Sequence, residues 1–194
     1  GVRQAVDEKD LVVVFTADHG ESLGEHSYWG HGRYLYEPSL RIPLGITWRG
    51  VIPPGTVSSQ ANLLDLMPTL LELVGVEVPE NLPGSSWAKT ARDGAELGER
   101  TGCYQAHRGA VHGNSARDSD KKRSKGLLWV GVIDGDLKEI IKVSRQVIQM
   151  YDLATDPGEL ETLVSVDAKP SDALAACFAR VTESLGSLDK LAVQ

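Results

Sequence analysis

The feature that most constrains the fold is the apolar run LVVVFT at residues 11–16, which ends in the polar segment ADHGE. The run is far shorter than the roughly 20 residues of a membrane helix, and its β-branched side chains favour a strand. Continuous apolar runs of this length are typical of strands buried on both faces, as in a parallel sheet. The residues before it resemble the end of a helix, so the sequence predicts an α/β fold.

Ionisable side chains are concentrated directly after this strand. The stretch FTADHGESLGEHSYWGHG, residues 15–32, holds three of the five histidines, three acids and four glycines. Ligands of open α/β sheets bind at the carboxyl ends of strands, where Asp18 and His19 would be able to ligate one divalent metal. In the alternative interpretation, Asp18 bonds the local backbone of a turn and His19 is solvated. Composition and spacing alone leave both interpretations open.

Patterns further along the chain predict a second group of elements. Apolar residues at helical spacing predict a helix at 63–74. Asp134-Gly135, between GLLWVGVI and LKEIIKV, predicts a two-residue hairpin, and QVIQMYDL at 146–153 predicts one more strand. An amphipathic helix is predicted at the end of the chain. The polar stretch at 113–126 is predicted to be a loop.

Charge and cysteine content narrow the function classes. The net charge of −7 argues against broad nucleic-acid binding, and no apolar run is long enough to cross a membrane. The spacing of Cys103 and Cys177 is not that of metal ligands. A disulfide between them is possible, but the sequence does not decide it. The apolar setting of Cys177 favours a thiol buried in the core. The start GVRQAVDEKD has neither an initiator methionine nor a signal-peptide pattern, so we expect the chain to begin inside a longer protein.

Four segments carry a resemblance to a known family: FTADHGESLGEH…WGHG…LYEPSLRIPL, NLLDLMPTLLELVGV, LPGSSW and QMYDLATDPGELETL. Together, and in this order, they resemble the C-terminal portion of the sulfatase family in the alkaline-phosphatase superfamily. The resemblance implies an alkaline-phosphatase-like α/β sandwich. Residues 1–95 would form the C-terminal part of the catalytic domain, and residues 96–194 a small α+β subdomain with an antiparallel sheet plus a helix.

The resemblance also implies roles for single residues. Asp18 and His19 match two ligands of the catalytic metal; we expect calcium, with manganese or zinc as alternatives because imidazole suits those metals. His31 matches a position that contacts the sulfate and the leaving oxygen, where an imidazole is suited to general acid catalysis. Arg33 and His107 are expected to contact substrate.

The activity implied is hydrolysis of a sulfate ester on a small molecule or a glycan. Sulfatases use a formylglycine made from Cys or Ser in a Cys-x-Pro/Ala-x-Arg setting, and neither Cys103 nor Cys177 has that setting. We therefore expect the formylglycine in a preceding N-terminal segment and no turnover by these 194 residues alone. Two alternatives remain: a phosphonate monoester or phosphodiester hydrolase of the same superfamily, and a catalytically inactive fragment.

Overall fold

The computed structural model describes residues 6–95, 97–98, 100–107, 126–165 and 167–191, with side chains described as far as Ser184. The predicted loop at 113–126 and the basic residues within it lie almost entirely outside this range. The strands are β1 Val12–Thr16, β2 Ser22–Leu23, β3 Trp29–Gly30, β4 Leu44–Trp48, β5 Thr101–His107, β6 Leu127–Asp134, β7 Leu137–Lys142 and β8 Val147–Asp152. The helices are α1 Glu37–Leu40, α2 Leu66–Leu73, α3 Ala88–Asp93 and α4 Asp172–Leu191.

The chain divides into two compact units. The first contains Gly1–Asp18 and Ile42–Arg100, and the second contains His19–Arg41 and Thr101–Gln194. The predicted domain boundary near residue 95 stays a prediction. Among the described helices, none has both the length and the apolar character that crossing a membrane requires.

In the first unit, β1 pairs with β4 in an antiparallel sheet, with Val14 opposite Ile46. The expectation of a parallel strand buried on both faces is therefore wrong for the described residues. Burial alternates along β1: Phe15 is 68% exposed, whereas Val14 is half-buried. Successive side chains of a strand face opposite sides of the sheet, and here one side is covered more than the other.

The helix predicted at 63–74 is confirmed as a 3₁₀ turn, Leu63–Asp65, that runs into α2. Its apolar stripe is only partly covered among the described residues, since Met67 is 56% and Val74 is 52% exposed. The buried residues of α2 are instead Pro68, Thr69 and Leu73. Periodicity located the helix correctly but did not identify the side that this unit covers.

Asp65 holds the start of α2 to the LPGSSW segment. Its carboxylate accepts hydrogen bonds from the backbone N–H groups of Asn62 and Ser85 at 3.0 and 2.7 Å, and it pairs with Arg100 at 2.5 Å. Gly84 has a φ of 92°, and a β-carbon there would lie 2.3 Å from the carbonyl oxygen of Leu64. Only glycine therefore allows this close approach of the two segments.

The second unit is built on an antiparallel sheet in the order β5-β6-β7-β8. This confirms the three predicted strands, which are β6, β7 and β8, whereas β5 was not predicted. Asp134 pairs with Leu137, so Gly135 and Asp136 form the two-residue hairpin loop. Gly135 adopts a φ of 59°, a conformation that glycine reaches without steric cost. The predicted final helix is confirmed as α4.

The two faces of this sheet are covered by different segments. On one face, α4 packs Leu174 and Val181 against Val130 and Ile141. On the other face, the segment 19–41 contributes Leu35 and Tyr36 to a cluster with Trp129, Ile140 and Tyr151. The sheet therefore supports the segment that contains the predicted site.

A disulfide joins Cys103 of β5 to Cys177 of α4, with Cα atoms 5.8 Å apart. The expectation that Cys177 is a core thiol is wrong, although its burial is confirmed. The bridge closes a loop of 74 residues, and chain entropy assigns such a loop about 4 kcal/mol of stabilisation. It fastens α4 to the sheet edge.

A buried charge cluster fastens the other face. Lys138 of β7 places its Nζ 3.0 Å from Glu37 Oε1 and 2.7 Å from Glu159 Oε1. The side chains of Lys138 and Glu159 are almost fully buried, and Glu159 Oε2 also accepts the backbone N–H of Glu37 at 2.6 Å. Burial raises the pKa of the Glu159 carboxyl, while the Lys138 ammonium opposes that rise.

We expect Lys138→Met to lower the free energy of unfolding by about 3–5 kcal/mol, because it leaves two carboxylates facing each other in a buried site. Glu159→Gln should cost less, since Glu37 remains paired with Lys138. Urea denaturation at pH 7, followed by circular dichroism, measures both variants. Equal losses in the two would contradict the cluster as described.

The pH dependence provides a second readout of the same cluster. The folded-state pKa of Glu159 is raised above its ordinary value of 4.5, so the folded state binds a proton more tightly than the unfolded state. The contribution of Glu159 to the free energy of unfolding is therefore fully present below about pH 4.5, and it is lost as the pH rises through the folded-state pKa. Glu159→Gln should remove this slope relative to the unsubstituted chain.

Candidate functional site

Gly20 sets the backbone between His19 and Glu21. Its N–H donates to the carbonyl of Ser39 at 2.9 Å, and a β-carbon at Gly20 would lie 2.1 Å from the carbonyl oxygen of Pro38. No other residue fits at this distance. The backbone between His19 and Glu21 is therefore held against α1 by a close contact.

A short ladder brings the next two groups together. Ser22 of β2 pairs with Gly30 of β3, so Glu21 and His31 stand at the same end of this two-stranded sheet. Glu21 Oε2 lies 2.9 Å from His31 Nδ1, and the Tyr28 hydroxyl donates to the His31 carbonyl at 2.8 Å. The His31 ring is thus oriented by a carboxylate ten residues earlier in the chain.

Hydrogen bonding assigns the tautomers of both imidazoles. A carboxylate and a carbonyl are acceptors only, so Nδ1 is the protonated nitrogen in His31, against Glu21, and in His19, against the Gly20 carbonyl at 2.9 Å. In the neutral rings the lone pair then lies on Nε2. The two rings stack with centroids 3.9 Å apart, and His19, Glu21 and His31 offer ligand atoms within 4.8 Å of one another.

The other predicted site residues are Asp18, Arg33 and His107. Asp18 is exposed. It belongs to the first unit, whereas His19 belongs to the second. Arg33 is exposed, with its guanidinium 5.5 Å from the Tyr34 ring centroid. His107 sits at a bulge at the end of β5, opposite Leu127. The roles assigned to these residues stay predictions.

The tip of the site loop has an unusual backbone. His26 adopts a φ of 51°, and its ring stacks on Tyr36 with centroids 3.6 Å apart. Glu25, next to it, accepts hydrogen bonds from its own N–H and from that of Leu23, which lowers its pKa. Burial raises the pKa of the Tyr36 hydroxyl, which donates to Gln149 at 3.0 Å. The loop tip is therefore seated on the aromatic face of the sheet.

Sequence reasoning assigned no role to Glu21. It lies in the cluster of ionisable residues after β1, but its contact with His31 depends on the pairing of β2 with β3. Strands of two residues have too short a sequence pattern for that pairing to be predicted. The signal available was the spacing of the acid two positions after His19. That spacing is compatible with many local structures.

Residues 24–183 match the family described as "N-sulphoglucosamine sulphohydrolase, C-terminal". Arylsulfatase K of Xenopus laevis is 33% identical over 158 residues, which are 76% of this chain and 27% of that protein. The chain thus spans about a quarter of the length of this relative.

Two solved structures show the same fold. A protein in complex with its substrate D-glucosamine-2-N,6-O-disulfate aligns with a TM-score of 0.69 at 24% identity, covering 96% of this chain and 35% of that one. The phosphonate monoester hydrolase of Silicibacter pomeroyi aligns with a TM-score of 0.66 at 25% identity, covering 95% and 36%. The predicted fold class, the C-terminal part of an alkaline-phosphatase-like α/β fold with a small antiparallel sheet plus helix, is confirmed.

Glu21→Ala is expected to release the His31 ring from the Nδ1–H tautomer, because it removes the acceptor 2.9 Å away. Imidazole ¹⁵N NMR of the 194-residue chain at a pH where the ring is neutral measures the tautomer ratio. Glu25→Ala, an exposed glutamate of the same loop, is the matched control. An unchanged His31 tautomer ratio in Glu21→Ala would show that the carboxylate does not orient the ring.

Proposed function

The chain belongs to the sulfatase family, as a C-terminal portion of it, and from that membership we propose that it forms part of a sulfuric ester hydrolase. The observation that carries the proposal is the cluster of His19, Glu21 and His31, in which one carboxylate orients an imidazole beside a second imidazole. The rest of the catalytic machinery, including a formylglycine nucleophile, would come from a longer polypeptide that contains this chain.

In this proposal, His31 protonates the leaving oxygen. Its Nδ1–H donates to Glu21, so a protonated ring has its Nε2–H as the proton to transfer. The bond to Glu21 also limits rotation of the ring, which keeps the donor nitrogen in one place during the reaction. Arg33, also on this loop, would bind the anionic substrate, as would His107.

The family resemblance implies a divalent metal, and the donors present fit one. The Nδ1–H of His19 donates to a carbonyl, and metal-binding histidines usually donate one ring N–H in this way while the other ring nitrogen ligates the cation. Asp18, its neighbour in the chain, supplies a carboxylate. When bound, the metal would stabilise negative charge on the ester oxygens. We propose calcium, with manganese or zinc as alternatives.

Names of similar proteins support a sulfated sugar as the substrate. The description of the matching family names N-sulphoglucosamine, and a structural neighbour binds a glucosamine disulfate. The net charge of −7 gives no support to a nucleic-acid partner. We therefore propose a glycan or small-molecule sulfate ester.

The second candidate is a phosphonate monoester or phosphodiester hydrolase. It is favoured by one observation, the fold shared with the phosphonate monoester hydrolase of Silicibacter pomeroyi. Sulfate and phosphonate monoesters place similar charged tetrahedral groups in the site, so the residues described here serve either. The ratio of kcat/KM for the two ester classes separates the candidates.

In the longer protein, His31→Ala should lower kcat on an alkyl or glycan sulfate by about 100- to 10,000-fold, because a general acid matters most for a poor leaving group. The loss on an aryl sulfate with an acidic phenol should be much smaller. Steady-state kinetics on both substrates test this, and the 194-residue chain alone should show no turnover.

The kinetic outcomes separate the claims. Equal losses of kcat on the alkyl or glycan sulfate and on the aryl sulfate would show that His31 is not the general acid. Absence of sulfatase turnover in the unsubstituted longer protein would remove the proposed function, and turnover by the 194 residues alone would remove the need for a separate nucleophile segment.

The metal proposal is tested by elemental analysis of the dialysed longer protein. We expect one tightly held divalent ion, lost in His19→Ala because an imidazole ligand is removed. His107→Ala, a histidine on β5 outside the cluster, is the control and should retain the ion. Retention of full metal content in His19→Ala would contradict the ligand assignment.

A further inference from the structure

A cavity of about 270 Å³ lies in the second unit, on the sheet face covered by the segment 19–41. Its lining includes His26, Tyr34, Trp129, Lys142, Arg145 and Gln149. Trp129 pairs with Lys142 across β6 and β7, so the cavity lies at the sheet end where β7 turns into β8. None of its lining residues belongs to the cluster of His19, Glu21 and His31.

The charged side chains that line this cavity are both basic. They are Lys142 and Arg145, and none of the lining residues is acidic. Among the described residues, neither cation forms an ion pair, although the chain as a whole has a net charge of −7. The Oε1 atom of Gln149 accepts the Tyr36 hydroxyl, so its amide presents an NH₂ group. Such a set is suited to a ligand rich in acceptor oxygens.

Aromatic rings form the remaining wall. Lys142 Nζ lies 5.7 Å from the Trp129 ring centroid, and Tyr34 meets Trp129 edge to face at 5.8 Å. A bare anion would use the cations alone, whereas a sugar ring also presents apolar C–H faces that pack on aromatic side chains. Charge and shape together match an anionic saccharide better than a free inorganic ion.

We propose that this cavity binds a sulfated saccharide unit, with the sulfate held by Lys142 and Arg145 and the sugar ring against Tyr34. The choice of a sulfated sugar rests on the proposed function. The cavity then contributes to glycan recognition through residues separate from those that act on the scissile ester. An enzyme with this cavity favours glycan sulfates over small aryl sulfates.

The test is isothermal titration calorimetry of the 194-residue chain at low ionic strength with three probes: a sulfated glucosamine disaccharide, its unsulfated counterpart and inorganic sulfate. Binding is measured without turnover, so the result is independent of whether the longer protein is a sulfatase. Lys142→Gln with Arg145→Gln removes the two cations. Lys169→Gln with Arg180→Gln removes two exposed charges outside the cavity and keeps the net charge matched.

We expect the sulfated disaccharide to bind the unsubstituted chain and the control, and to bind the cavity variant at least about tenfold more weakly, since bonds to charged groups are lost. Arg145→Glu, a single reversal in an exposed turn, should weaken binding as well, and circular dichroism verifies that each variant is folded. No binding, equal weakening in the control, or equal binding of the unsulfated disaccharide or of inorganic sulfate would each overturn the proposal.

Discussion

The ammonium of Lys138, buried between two carboxylates, is the interaction on which the second unit depends. Its partners come from distant parts of the sequence: Glu37 begins α1, and Glu159 follows β8 in the DPGEL segment. A buried charge without a partner is costly, so all three groups must be in place together. The cluster therefore ties the segment 19–41, which contains the candidate site, to the strand that carries Lys138.

This dependence explains two motifs that have no chemical role of their own. LYEPSLR supplies Glu37 and the carbonyls that contact Gly20, and YDLATDPGEL supplies Glu159. Their residues affect the candidate site indirectly, because they fix the backbone from which His19 and His31 project. The composition of both motifs thus has a structural reason.

The site residues named from the sequence stay predictions, although the structure shows how some of them are arranged. Clustered histidines and acids after an apolar strand pointed to His19 and His31, and the structure brings these two rings together. The part played by Glu21 was not predicted, because it depends on how two very short strands pair. The cavity lined by Lys142 and Arg145 was not predicted either, since its residues come from three separate stretches of chain.

The sequence by itself determined the local structure: the helix at α2, the hairpin at Gly135, the final helix and the crowded loop after β1. Each is encoded by neighbouring residues, through side-chain periodicity or the backbone freedom of glycine. Only the tertiary structure decided that β1 pairs antiparallel with β4, that Cys103 bonds to Cys177 and that Lys138 meets two carboxylates. These contacts join residues far apart in the chain, and a side chain's type does not specify which distant partner the fold will place beside it.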